Sequence, residues 1–441
     1  MSILQINPKN YSGYYYFVEK RLPRMAVMLI FLAISPALAV GQSLPHAHSE
    51  LFRSDEITFD MMVSAAMQQS SESLLLASKR NQADAYAGAS DGILPGQYTW
   101  RAQVFDDGAT ENQGIRETEM GIDIGLWRRG ERNAARMLST SYGKRVELFD
   151  RYLLWLSSGR VRQALAALND ADKVLTDEQE IAENLKAIED VVLAMLTEGA
   201  VAEAELLRVQ AEVLDQELRI LDAQAALVDA ERNYQMVTGL AIRPLENLVE
   251  PLPHFGNEFS QLEVAEDHPL LQMLRQEVEV FKGGAERIRF NARNRTTISV
   301  GVRREEIGAM APITDTLSIG ISIPLGGMRQ SRPLVEDALG VAADAEVSLH
   351  QAQRSLQLSL HEAAHELDVI TEALSVNSRR KALAERRVAM TLAAFDEGEA
   401  SLEDVLRVRR ALSSIDRESN SLEAEKFRRI GEFRQAKGDS L

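Results

Sequence analysis

The feature that most constrains this chain is that its sequence is written twice. "MGIDIGLWRRGERNA" from Met120 has a counterpart in "IGISIPLGGMRQSRP" from Ile319, and "TEGAVAEAELLRV" around Gly199 has one in "DEGEASLEDVLRV" around Gly398; both offsets are 199 residues. A constant offset means that no net insertion separates the two stretches. One structural unit therefore occurs twice, and the fold must be sought in that unit.

Each copy reads in the same order. A helical stretch, "MMVSAAMQQSSESLLLASKRNQADAYAGAS" in copy one and "HPLLQMLRQEVEVFKGGAERIRFNARN" in copy two, precedes two short alternating segments. In copy one Tyr98, Trp100, Ala102 and Val104 share a face, as do Met120, Ile122, Ile124 and Leu126. Copy two repeats this with Ile298, Val300 and Val302, then Leu317, Ile319, Ile321 and Ile323, while Gly121, Asp123, Ser318, Gly320 and Ser322 fall on the other face. Period two predicts strands, near 97–105, 118–126, 296–304 and 316–325.

A long proline-free region follows each strand pair: no proline occurs between Pro95 and Pro244, nor after Pro333. Ile181, Leu185, Ile188, Val192 and Met195 are spaced as a heptad, as are Leu214, Leu218, Leu221, Ala225 and Val228, and copy two echoes this with Val405, Val408, Leu412 and Ile415. The spacing predicts helices packed as coiled coils, reversing at tight turns around Gly199 and Gly398. A helix from Trp127 to the first turn would be about 100 Å long. Hairpins of that length do not belong to a compact enzyme domain.

Strands of about nine residues are long enough to cross an outer membrane when tilted, yet four cannot close a barrel, and lipid tolerates no open edge. Three chains would supply twelve strands, an even number in the range of such barrels. The start of the chain agrees with export. Lys20, Arg21 and Arg24 precede an apolar run from Met25 to Ile34 and an Ala37-Leu38-Ala39 sequence, which predicts a signal peptide over 1–39. A polar leader is expected over 40–56, a first repeat over 57–243, a linker over 244–267 and a second repeat over 268–441. The net charge of −17 argues against a nucleic-acid partner, and the absence of cysteine excludes disulfides, thiolate metal sites and a lipid-bearing cysteine.

The repeated order of helix, strand pair, long helix, glycine turn and returning helix resembles the TolC-like outer-membrane efflux proteins over roughly residues 57–437. The passage "ETEMGIDIGLWRRGERNAAR", with Gly130-Glu131-Arg132 opening the long helix, looks most like the heavy-metal cation (CzcC-like) branch, and His268-Pro269 stands where such proteins often have Asn-Pro. Copy one has Ser70 at the position of Pro269, so its helix start is less clearly marked. The resemblance implies a mainly α fold with long antiparallel coiled-coil hairpins and four transmembrane strands per chain. As a homotrimer it would complete a twelve-stranded barrel in the outer membrane of a Gram-negative cell above a periplasmic helical tunnel. It further implies the passive exit duct of a tripartite exporter, with a periplasmic membrane-fusion adaptor, an inner-membrane pump of RND type and outer-membrane lipid as partners, heavy-metal divalent cations as a candidate cargo, and no cofactor or catalytic residue.

Site expectations follow. The resemblance assigns adaptor docking to the turns at Gly199, Ala200, Val201, Gly398, Glu399, Ala400 and Ser401. Glu203, Glu205, Glu403 and Asp404 lie just past those turns, and under threefold repetition any that face inward would form carboxylate rings. "HEAAH", His361 to His365 with Glu362, matches a zinc-protease motif, but no third ligand or open cleft is evident, and a solvated helix face is expected. His46 and His48 read as part of a polar leader, and Tyr98 and Trp100 as membrane-interface or lipid-facing bulk. A periplasmic coiled-coil adaptor or scaffold is the alternative; an adaptor would carry a compact β-rich domain within its hairpin, and none is apparent between Leu126 and Gly199.

Overall fold

A computed structural model describes residues 51–96, 98–109, 113–245, 262–307, 312–326 and 328–439. The expected signal peptide, residues 40–50 of the leader with His46 and His48, and residues 246–261 of the linker lie outside the described residues. The end of the leader is ordered as strand β1 (Phe52–Ser54). Next come α1 (Phe59–Gln69), α2 (Ser73–Asp91), β2 (Tyr98–Asp106), β3 (Ile115–Gly125), α3 (Glu131–Thr197), α4 (Glu203–Thr238) and β4 (Ile242–Pro244). The second half holds α5 (Pro269–Asn291), β5 (Thr297–Ile307), β6 (Thr314–Ser322), α6 (Met328–Asp396) and α7 (Leu402–Lys437). The stretch expected as one helix before β2 is two, broken at Ser70–Glu72, the place at which copy two starts α5 with Pro269.

The two strand pairs form one antiparallel sheet in the order β2-β3-β5-β6. Its register puts like with like. Trp100, Ile122, Val300 and Ile319 make one cross-strand row, and Ala102, Met120, Val302 and Leu317 another. The row between them is Arg101, Gly121, Gly301 and Ser318. One face is thus apolar and the other small or polar, as the period-two pattern requires. The glycines face each other because nothing larger fits: an added Cβ would lie 2.7 Å from the Met120 carbonyl oxygen at Gly301 and 3.0 Å from that of Val300 at Gly121.

α3 has 67 residues and α6 has 69, each about 100 Å long. Packing runs from α4 to α3, from α3 to α7 and from α7 to α6, so α4 and α6 are the margins of this helical layer. Near its base, Met62, Val63, Val161, Leu165 and Tyr234 join α1, α3 and α4, while β1 pairs in parallel with β4. Each hairpin also buries one amide at the same height. Gln216 Nε2 donates to the Glu178 carbonyl at 2.8 Å in copy one; in copy two Asn377 Nδ2 donates to the Ile415 carbonyl at 3.1 Å. The 199-residue offset carries 178 onto 377 and 216 onto 415, so the amide has changed helix while the bond across the hairpin is kept. A single buried polar contact of this kind fixes the register of a coiled coil. Arg417 then ties the hairpins together by a two-pronged ion pair with Glu178 at 2.6 and 2.8 Å.

The heptads divide between two destinations. Val192 of α3 and Val405 and Val408 of α7 are buried within the layer as expected. Leu214, Leu218 and Leu221 of α4 are 60–62% exposed, and the inward face of α4 is instead Val209, Val213, Gln216, Ala223 and Ala230. This corrects the expectation that the leucines close the hairpin. α4 is apolar on two faces, and Gln216 interrupts the inner one.

Candidate functional site

Both hairpin tips end by the same hydrogen-bond pattern. Gly199 N–H donates to the Leu196 carbonyl at 2.9 Å and Ala200 N–H to that of Met195 at 2.8 Å; Gly398 donates to Phe395 at 2.9 Å and Glu399 to Ala394 at 2.8 Å. This is the Schellman closure, which needs a left-handed residue. Gly199 has φ +76° and Gly398 φ +75°. No atom lies within 4 Å of an added Cβ at either, so within the chain the backbone conformation alone demands glycine.

The tips are brought together by Val192, Val209 and Val213 of the first hairpin packing on Leu402 and Leu406 of the second, with Val201 and Phe395 against them. Ala200, Glu399 and Ser401 are exposed and Ala400 is half-buried. The copies differ in how the returning helix starts. Ser401 caps α7, its hydroxyl accepting from Asp404 N–H at 3.2 Å while Ser401 N–H donates back to the Asp404 carboxylate at 3.3 Å. In α4 the N-cap is Ala202, with no side-chain cap.

The four acidic residues past the turns do not behave alike. Asp404 belongs to that capping box and pairs with Arg407, and the Ser401 hydroxyl first among these contacts holds its carboxyl below the usual range. Glu205 and Glu403 share one cation: Arg208 Nη1 lies 3.5 Å from Glu205 and 3.6 Å from Glu403, linking the two copies. Glu203 is exposed. Arg208 and Arg407 are the partners that charge counting along the sequence missed, and their place one turn along each helix is the signal that could have found them.

His361, Glu362 and His365 are exposed on α6, with Ala363 and Ala364 between them turned inward. Among the described residues no group of three or more His, Asp or Glu side chains is arranged to hold a metal ion. The corresponding position in copy one, Arg162, is buried and donates to Gln435 Oε1 at 3.0 Å and to the Asp439 carbonyl at 2.9 Å. Gly130, with φ +87°, is the N-cap of α3, and the buried Glu131 beside it pairs with Arg295 at 2.5 Å.

Among the described residues two sets of groups are left without partners in a single chain. β2 and β6 are the sheet edges, and the apolar face is open: Trp100, Leu317 and Ile321 are each 66% exposed. The helical margins carry matching apolar stripes. Leu207, Leu214 and Leu221 of α4 stand eight, fifteen and twenty-two residues after Gly199; Met390, Leu383 and Val376 of α6 stand eight, fifteen and twenty-two before Gly398, all exposed. Among the described residues no helix is long and apolar enough to cross a membrane.

No protein-family model matches the chain, and no curated protein matches it by sequence. Solved structures do. The fold is that of the TolC-like outer-membrane channels. CusC, whose crystal structures concern folding and transmembrane channel formation, matches with a TM-score of 0.65 at 14% identity, over 86% of this chain and 92% of its own. The outer-membrane protein VceC of Vibrio cholerae gives 0.66 at 12% over 86% and 96%, and the CmeC outer-membrane channel of Campylobacter jejuni 0.63 at 15% over 95% and 94%. These likenesses cover 86–95% of this chain.

Proposed function

We propose that three copies of this chain close into a ring that spans the outer membrane as a twelve-stranded barrel and continues below it as a tunnel of twelve long helices. The observation that carries this reading is the pair of unpartnered margins. β6 and α6 lie at one margin and β2 and α4 at the other, so one heterologous contact, repeated, serves sheet and helices together. The stripes on α4 and α6 sit at equal heights above the turns, as such a contact needs. Closure removes both sheet edges, which lipid requires. Trp100, Ile319 and their row neighbours then face the acyl chains, and the small and polar rows line the pore.

In this reading the chain is a passive exit duct that catalyses no reaction. An adaptor docks at the tips, Gly199 to Val201 and Gly398 to Ser401, and an inner-membrane pump supplies the energy. Divalent metal cations are the proposed cargo, on the likeness of the segment through Gly130-Glu131-Arg132. Glu203, Glu205, Glu403 and Asp404 would ring the tunnel mouth, with Arg208 and Arg407 setting how much of that charge is felt. The unbroken α3 supports a duct over an adaptor, because it leaves no room for a β-rich domain inside the hairpin.

The test is to express the full chain with its own leader, separate inner from outer membranes and measure the mass of the detergent-solubilised protein. A trimer of the 49.0 kDa chain, less any cleaved leader, in the outer membrane is expected. A soluble periplasmic monomer would refute the barrel.

A further inference from the structure

His361 and His365 stand one turn apart on the exposed side of α6, while Ala363, Ala364 and Leu367 turn inward toward Ile430, Phe433 and Ala436 of α7. Residues four apart on a helix hold their Cβ atoms about 5–6 Å apart, a span that two imidazoles can bridge onto one ion through ring nitrogens at about 2 Å. Asp368, also exposed, lies one turn beyond His365 on the same side. We propose that His361 and His365 chelate one divalent transition-metal ion, with Asp368 adding negative charge beside it and water completing the coordination shell.

The pair does not build a zinc-protease centre. With two protein ligands and no third converging on them, it is an exchangeable surface site rather than a structural one. Imidazole ligands favour Cu²⁺, Ni²⁺ and Zn²⁺ over Mn²⁺ and Mg²⁺. The site occurs once per chain, since copy one has Arg162 and Ala166 at the equivalent positions and uses Arg162 to bind the C-terminal helix. The inference rests on this geometry alone and holds whether or not metal is the cargo.

The full chain is purified in detergent and titrated with Ni²⁺ alone, alongside His361→Ala, His365→Ala and His350→Ala. Each of the first two is expected to weaken the site at least about tenfold, because the second imidazole acts at high effective concentration. His350, three turns away and also exposed, serves as the control, and its loss is expected to change nothing. Unchanged melting temperatures would show that the exposed replacements leave the fold intact. Ni²⁺ binding that is absent from the parent chain, equal in all four proteins, or weakened as much by His350→Ala would overturn the assignment.

Discussion

His268 begins α5 by accepting the Leu270 N–H at its ring Nδ1, 3.2 Å away, with Pro269 occupying the first helical position. Its Nε2 lies 3.4 Å from the Gln435 carbonyl, and the Trp155 ring meets it edge-on with centroids 5.0 Å apart. Nδ1 must be unprotonated to accept, so the ring is neutral and donates from Nε2. Burial, the largest influence, pushes its pKa below the ordinary value, against an opposing pull from Gln435 and Asp267. Because the folded value is the lower one, the contribution is complete above about pH 6.5 and is lost as pH falls from there through the folded value. Asparagine can make the same cap, so His268→Asn should keep most of the stability at neutral pH and lose this acid sensitivity. His268→Ala should cost about 1 kcal/mol for the cap, more with the contact to Trp155. Urea denaturation at pH 7.5 and 5.5 measures both, and equal losses for Asn and Ala would contradict the capping role. The helix start was legible in His268-Pro269. The bond to Gln435 was not, because it joins residues 167 apart and no local pattern encodes such a contact.

Strands were the most legible elements, since alternation survives in each of the four and the register then aligns their apolar rows. The coiled coils were legible only in part. Heptad spacing finds an apolar face without saying what covers it, so Leu214, Leu218 and Leu221 read as the hairpin seam although Val209, Val213 and Gln216 occupy it. The true seam of α4 was hidden by its buried glutamine, whose polarity is satisfied by the Glu178 carbonyl. At the tips the glycine turns were visible in sequence, whereas the contact of Arg208 with Glu403 arises between copies and was not. Replacement of Gly398 by tryptophan would disturb the turn on conformational grounds alone. Ala200, exposed and beside the turn, isolates docking: Ala200→Trp should reduce export while leaving trimer mass unchanged. Export at the parental rate in that variant would remove the first tip from the docking surface.

At the scale of the whole molecule, the 199-residue repeat builds a body whose sheet and helical layer end in unlike margins, β2 with α4 and β6 with α6. In the proposed assembly a single interface joins these unlike margins and closes into a ring, and the stripes are set at equal distances from Gly199 and Gly398. Burial of these leucines, methionine and valine against a neighbour would contribute roughly 1.5–3 kcal/mol per fully covered side chain, enough across three stripe levels to favour assembly over exposed edges. The natural absence of cysteine gives a direct readout. A Leu214→Cys, Leu383→Cys chain is oxidised mildly in the membrane and resolved without reductant. Because the two positions lie on opposite margins, covalent dimers and trimers are expected, absent from either single variant. Only monomers, in protein that has reached the outer membrane, would contradict the ring.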